Sequence, residues 1–118
     1  MTQPLSVLIV EDEPLIAMMI EDLIDILDHK VAGTTDAVAE ALPLVERGDF
    51  DVAILDVNLR DGPSWPIADA LSGKGKPFVI ATGGHVDPPP PEHAGAVQLA
   101  KPFTLDSLKA ALERIAAR

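Results

Sequence analysis

Three short runs of uninterrupted apolar residues punctuate the chain: Val7-Leu8-Ile9-Val10, Val52-Ala53-Ile54-Leu55 and Phe78-Val79-Ile80-Ala81, each followed by polar or turn-forming residues. Runs of this length and composition predict strands covered on both faces, the habit of parallel sheets. Residues 30–34 and 96–100 carry a weaker version of the pattern, diluted by Gly33 and Gln98, which suits edge positions. Helical periods fill the intervals. Over residues 14–28, Ile16, Ile20, Leu23 and Leu27 share one face, and Pro14 occupies a tolerated first-turn position. Residues 37–46 predict a second helix behind a Thr35 or Asp36 cap, stopping near Gly48, with a kink or late start at Pro43. Residues 66–71 predict a short third helix ended by Gly73 and Gly75. Residues 105–116 predict the last, capped by Thr104, with Leu108, Leu112 and Ile115 inward.

Strand and helix alternate throughout, which predicts an α/β domain built on an open parallel sheet with helices on both faces. In such sheets the polar groups at the carboxyl ends of central strands gather in one crevice, where the chemistry is expected. One segment breaks the rhythm. Residues 83–95 contain Pro88-Pro89-Pro90-Pro91 and no apolar periodicity, and consecutive prolines lack the amide donors a helix interior needs. An extended or mobile loop is expected where a fourth helix would sit, with at most one turn beginning at Pro91.

Composition narrows the picture. A length of 118 residues suits one domain; 47% hydrophobic and 24% charged residues are globular proportions, and 3% aromatics imply an aliphatic core. The formal net charge of −10 disfavours nucleic acid and anionic membranes and favours a cation or a basic protein face. There is no cysteine, so disulfide and thiolate chemistry are excluded. The longest apolar run, residues 15–20, is far short of the ~20 residues that span a bilayer, and no basic leader precedes Leu5. A cytoplasmic location is expected.

Each predicted strand delivers a polar group to the crevice: Glu11-Asp12-Glu13 after the first, Asp56 after the third, Thr82 after the fourth and Lys101 after the fifth. Two carboxylates about 4 Å apart repel by roughly 4 kcal/mol at an effective dielectric of about 20, so the acids together call for a cation. Hard oxygen ligands suggest Mg²⁺, which is held by one or two carboxylates and keeps several waters. Asp12 and Asp56 are the expected direct ligands, with Glu11 acting through water and the main-chain carbonyl of Asn58 completing the set. Asp56 is the candidate nucleophile toward phosphorus; Lys101 suits a phosphate oxygen as a point charge, and Thr82 offers a hydroxyl. Singly, each residue has an ordinary reading as a helix-start acid, a turn former, a cap or a surface lysine. Their joint order along the strands is hard to obtain by chance.

These residues resemble the response-regulator receivers of two-component signalling: Val7 to Pro14 reads Val-Leu-Ile-Val-Glu-Asp-Glu-Pro, and Ile54-Leu55-Asp56-Val57-Asn58-Leu59, Ala81-Thr82-Gly83 and Ala100-Lys101-Pro102-Phe103 follow the same family pattern. The resemblance implies a flavodoxin-like five-stranded sheet in order 2-1-3-4-5, with the fourth helix here shortened or replaced. It implies a Mg²⁺ site at Glu11 and Asp12, phosphorylation of Asp56 by a histidine kinase phosphohistidine or a histidine phosphotransfer protein, and phosphoryl contacts from Thr82 and Lys101. The family's lysine-proline bond is usually cis, which extends to Lys101-Pro102. Two departures stand out: Gln98 replaces the family's switch aromatic, and prolines replace its fourth helix. Residues 77–84 are similar to the FATGUY subgroup, named for a Phe-Ala-Thr-Gly signature in which Ile80 here replaces the phenylalanine. That subgroup implies HWE-type kinases as partners.

With the last helix ending near the last residue, no output domain is expected, so output is a docking event or phosphorelay. Phosphorylation is expected to order residues 83–95 around Thr82 and so present a surface to a downstream protein. Leu15, Met18 or Met19, and Ile26 flank the inward face of the first helix as ordinary surface apolarity or as a strip for a kinase's helices. Two alternatives remain. A small aspartyl-phosphate phosphatase would use the same nucleophile but needs a second acid where Asn58 stands, and a non-phosphorylated docking module would leave the crevice without a task.

Overall fold

The computed structural model describes residues 4–82, 89–101 and 103–116. Five parallel strands form the sheet: β1 (Ser6–Val10), β2 (Lys30–Thr35), β3 (Val52–Asp56), β6 (Phe78–Thr82) and β7 (Val97–Ala100), in the spatial order β2-β1-β3-β6-β7. The three apolar runs occupy the three central places, which explains their continuity: β1 and β3 are buried on both faces. The weak candidates at residues 30–34 and 96–100 are the two edges, as expected.

Alternation sorts the side chains into two cores. Val7, Ile9, Val52, Ile54, Val79, Val97 and Leu99 face α1 (Pro14–Ile26) and α4 (Leu105–Ala116), meeting Ile20, Ile24, Leu108, Leu112 and Ile115. Leu8, Val10, Ala53 and Leu55 face α2 (Val38–Arg47) and α3 (Trp65–Gly73), meeting Ala41, Val45, Ile67 and Leu71. On the second face the cover stops short of β7, whose Gln98 and Ala100 are exposed. A half-covered edge strand requires only alternate apolar residues, hence its diluted pattern.

In place of a fourth large helix, the described part of the β6–β7 connection holds a single 3-10 turn, Pro91–His93, beginning where the sequence allows one. His93 is buried: its Nε2 lies 2.7 Å from Asp69 Oδ1 on α3, and its ring stacks on Trp65 at 5.9 Å between centroids. The expectations for residues 83–88 and for the Lys101-Pro102 bond lie outside the described residues.

Several boundaries differ from the sequence reading. Helix α1 ends at Ile26 rather than Asp28, because Asp28 adopts a left-handed φ of 64° and the His29 amide turns back to the Ile24 carbonyl. Helix α2 starts at Val38 and runs through Pro43 without stopping there; neither Thr35 nor Asp36 caps it, and Ala37 stands at the cap position. Helix α3 starts one residue early, at Trp65. A two-stranded antiparallel ribbon, β4 (Asn58–Leu59) and β5 (Gly62–Pro63), was not predicted, being too short to show periodicity. The Thr104 cap is present: Thr104 Oγ1 accepts from the Ser107 amide at 3.0 Å, and Ser107 Oγ accepts from the Thr104 amide at 2.9 Å. No helix among the described residues is long and apolar enough to cross a membrane.

Candidate functional site

Strand register assembles the crevice. Val10 pairs with Leu55, Asp56 with Ala81, and Thr82 with Ala100, so Glu11, Asp56, Thr82 and Lys101 emerge from one edge of the sheet. The backbone extends these ladders, with the Glu11 amide on the Thr35 carbonyl at 3.0 Å and the Lys101 amide on the Thr82 carbonyl at 2.7 Å. Glu11 is the most enclosed of the acids, only 2% exposed, and its Oε2 accepts from the Glu13 amide at 3.1 Å. The Lys101 ammonium lies 2.8 Å from Glu11 Oε1 and 3.2 Å from Asp56 Oδ1. Glu11 Oε1 has no well-directed hydrogen bond, so its contact with Lys101 is chiefly ionic. Carboxylate oxygens of Glu11, Asp12 and Asp56 all fall within 4.8 Å of one another, close enough to share one metal ion. An open cleft of about 320 Å³, bordered by Glu11, Asp12, Thr35, Asp36 and Glu40, leads into this cluster.

The charges are unbalanced. Burial, followed by the negative charge of Glu11, pushes Asp56 up to about 7 even though Lys101 opposes the shift. Burial also pushes Glu11 up, but the adjacent Lys101 ammonium and the hydrogen bond from the Glu13 amide outweigh it and hold Glu11 below its ordinary value. Burial works to lower Lys101, and its two carboxylate neighbours overcome this and raise it. One ammonium therefore serves a site of three acids, and Asp56 keeps its proton near neutrality. A divalent cation would supply the missing positive charge, and Glu11, Asp12 and Asp56 offer the hard oxygen donors that Mg²⁺ takes.

The family model for the response regulator receiver domain matches residues 7–113. The chain belongs to the response-regulator receiver family. Its structure is similar to the solution structure of SdrG from Sphingomonas melonis Fr1, at 50% identity and a TM-score of 0.87 over 98% of this chain and 99% of that one. It is also similar to the crystal structure of the anti-anti-sigma factor PhyR from Bartonella quintana, at 26% identity and a TM-score of 0.81 over 98% of this chain and 49% of that one. The phyllosphere-induced regulator PhyR of Methylorubrum extorquens is 38% identical over 76 residues, which is 64% of this chain and 28% of PhyR. The receiver thus spans less than two thirds of that relative's length. A receiver is a signalling domain, and this family typically binds Mg²⁺.

Within this receiver the structure brings together Glu11, Asp12, Asp56 and Lys101, all four singled out from sequence. Thr82 lies half-buried at the end of β6, one strand over from Asp56. Asn58 opens the ribbon two residues beyond Asp56, with its side chain exposed. Two features escaped the sequence reading. Arg60 and Asp61, at the ribbon's turn, reach across to α2, and Asp69 on α3 holds His93. The Asp61-Gly62 pair carried a turn signal, but nothing in the sequence indicates which distant amides an aspartate will meet. On α1, Leu15, Met18 and Ile26 are exposed, whereas Met19 packs against the core.

Proposed function

We propose that this receiver accepts a phosphoryl group on Asp56 from the phosphohistidine of a histidine kinase, or of a histidine phosphotransfer protein, in a Mg²⁺-dependent reaction. Asp56 is the one acid of the cluster that terminates a central strand, and it faces the ammonium of Lys101 at 3.2 Å. That juxtaposition carries the reading. A carboxylate oxygen of Asp56 attacks phosphorus, the phosphorus–nitrogen bond to the donor imidazole breaks, and the imidazole leaves with the bonding pair. In the metal-free site burial and Glu11 raise Asp56 to about 7, and a bound cation would favour the ionised carboxylate that attacks.

Glu11, Asp12, Asp56 and the Asn58 carbonyl would hold the ion, with Glu11 acting through water. Bound Mg²⁺ supplies charge neutralisation at the phosphoryl oxygens. The remaining work falls to side chains of this chain. Lys101 exchanges its carboxylate contacts for a phosphoryl oxygen, and the Thr82 hydroxyl donates to another. Water later hydrolyses the acyl phosphate and restores the carboxylate, so the domain catalyses only its own modification.

The resemblance to the FATGUY subgroup favours an HWE-type kinase as donor and a cytoplasmic setting. The relatives described as anti-anti-sigma factors favour a downstream protein target, reached by docking or phosphorelay. Beryllofluoride with Mg²⁺ tests the reading, since it mimics an aspartyl phosphate. Fluorine NMR should show a bound signal with wild type and none with Asp56→Asn or after chelation of the metal. A bound signal that survives Asp56→Asn would overturn it.

A further inference from the structure

The chain leaving Asp56 is pinned on two sides. On the inside, Val57 and Leu59 are buried and the Ser64 amide donates to the Val57 carbonyl at 2.8 Å. On the outside, the ribbon's turn grips α2: Asp61 Oδ1 accepts from the Val38 amide at 2.7 Å and Asp61 Oδ2 from the Ala39 amide at 3.1 Å. Arg60 braces the same junction, its Nε 3.2 Å from Asp36 Oδ1 and its Nη2 3.4 Å from Glu40 Oε1. The first amides of a helix need acceptors, and a side chain at the cap position commonly provides one. Here that position is Ala37, which has none to offer. The carboxylate comes instead from a ribbon more than twenty residues downstream.

A cap supplied from so far away does two things at once. It completes α2, and it fixes the ribbon, which cannot shift without uncovering the helix amides. The ribbon opens at Asn58, whose pairing partner Pro63 has no amide to donate to it. We propose that Asp61 is a positioning residue for cation binding: by tying the ribbon to α2 it holds the Asn58 carbonyl in place beside the acid cluster. This inference rests on the Mg²⁺ site of the preceding section, and it adds a residue that touches neither metal nor phosphate.

The test separates holding the ribbon from merely capping a helix. Isothermal titration calorimetry measures the Mg²⁺ affinity, and the fluorescence of Trp65, the chain's single tryptophan two residues after the ribbon, gives a second readout. Asp61→Ala should weaken the Mg²⁺ affinity roughly ten-fold, as is usual when a group that orients a metal ligand is removed. Asp61→Asn, which keeps one amide-accepting oxygen, should recover part of the loss. Adding Ala37→Ser to Asp61→Ala gives α2 a local cap without reconnecting the ribbon, so thermal stability should return while Mg²⁺ affinity stays low. An unchanged affinity in Asp61→Ala, or its full recovery with Ala37→Ser, would overturn the inference and leave the metal site intact. A wild-type protein indifferent to Mg²⁺ would overturn the metal site itself, and the inference with it.

Discussion

The Lys101 ammonium stands 2.8 Å from Glu11 Oε1, so the most enclosed carboxylate of the crevice is held by the residue proposed to contact a phosphoryl oxygen. Glu11 thus serves as a resting partner for the lysine. It keeps the ammonium beside Asp56, 3.2 Å away, rather than out in solvent. Removing the lysine should expose the cost of this crowding. Lys101→Ala should lower stability by about 2 kcal/mol, the scale of leaving a buried polar group without its partner, measured by urea denaturation without metal. An unchanged midpoint would show that Lys101 is not engaged.

Asp56, the proposed acceptor, is expected to destabilise the metal-free fold at alkaline pH. Asp56 is raised from 3.8 to about 7 by burial and by Glu11. A carboxyl raised in the folded state favours folding fully below its unfolded value, and that contribution is lost as pH rises through the folded value. Between about pH 4 and pH 7 the Asp56 contribution therefore declines. Asp56→Asn, which cannot ionise, should be the more stable protein at about pH 8, by an amount on the order of a few kcal/mol. Near pH 4 the difference should almost vanish. Thermal melts of the two proteins at both pH values check this, and equal melting temperatures at pH 8 would contradict it.

The 3-10 turn Pro91–His93, which begins where the sequence allows one turn, should depend on one histidine. His93 is buried, lies 2.7 Å from Asp69 Oδ1, stacks on Trp65 and meets Phe78 edge-on at 5.9 Å. His93→Ala should cost about 2 kcal/mol through the lost bond and the void left behind. It should also move Trp65 emission to longer wavelength as water reaches the indole. Unshifted emission would show that the turn stays docked by other means.

The last helix offers a simpler case. Thr104 and Ser107 exchange hydrogen bonds at its start, so Thr104→Ala should lower stability by about 1 kcal/mol. Denaturation of the variant beside wild type measures it.

The central strands and the crevice were legible because each carried its own signal. Val7 to Val10, Val52 to Leu55 and Val79 to Ala81 are buried, which leaves an unbroken apolar run in the sequence. Parallel strands bring their carboxyl ends together, so the polar residues that end or follow the runs point to one crevice. Thr104 was legible for a local reason, since a cap and the amide it serves lie within one helical turn.

What escaped was long-range and polar. Nothing around Asp61 announces that it will cap α2 in place of Ala37, because the contact depends on tertiary packing. Pro43 predicted a kink or late start, but α2 begins at Val38 and the proline sits exposed in its middle, where packing of Ala41 and Val45 outweighs one missing amide bond. The ribbon at Asn58–Leu59 and Gly62–Pro63 is too short for any alternation to show. The His93–Asp69 pair joins a turn to a helix across 24 residues, a distance over which sequence patterns carry no pairing information.

Intact-mass analysis after incubation with a small phosphodonor and Mg²⁺ tests the central claim most directly. Wild type should gain the mass of one phosphoryl group, slowly or not at all once the metal is chelated, and Asp56→Asn should gain none. A phosphoryl adduct on Asp56→Asn, or wild-type protein left unmodified under conditions where it binds Mg²⁺, would contradict the assignment of Asp56 as the acceptor.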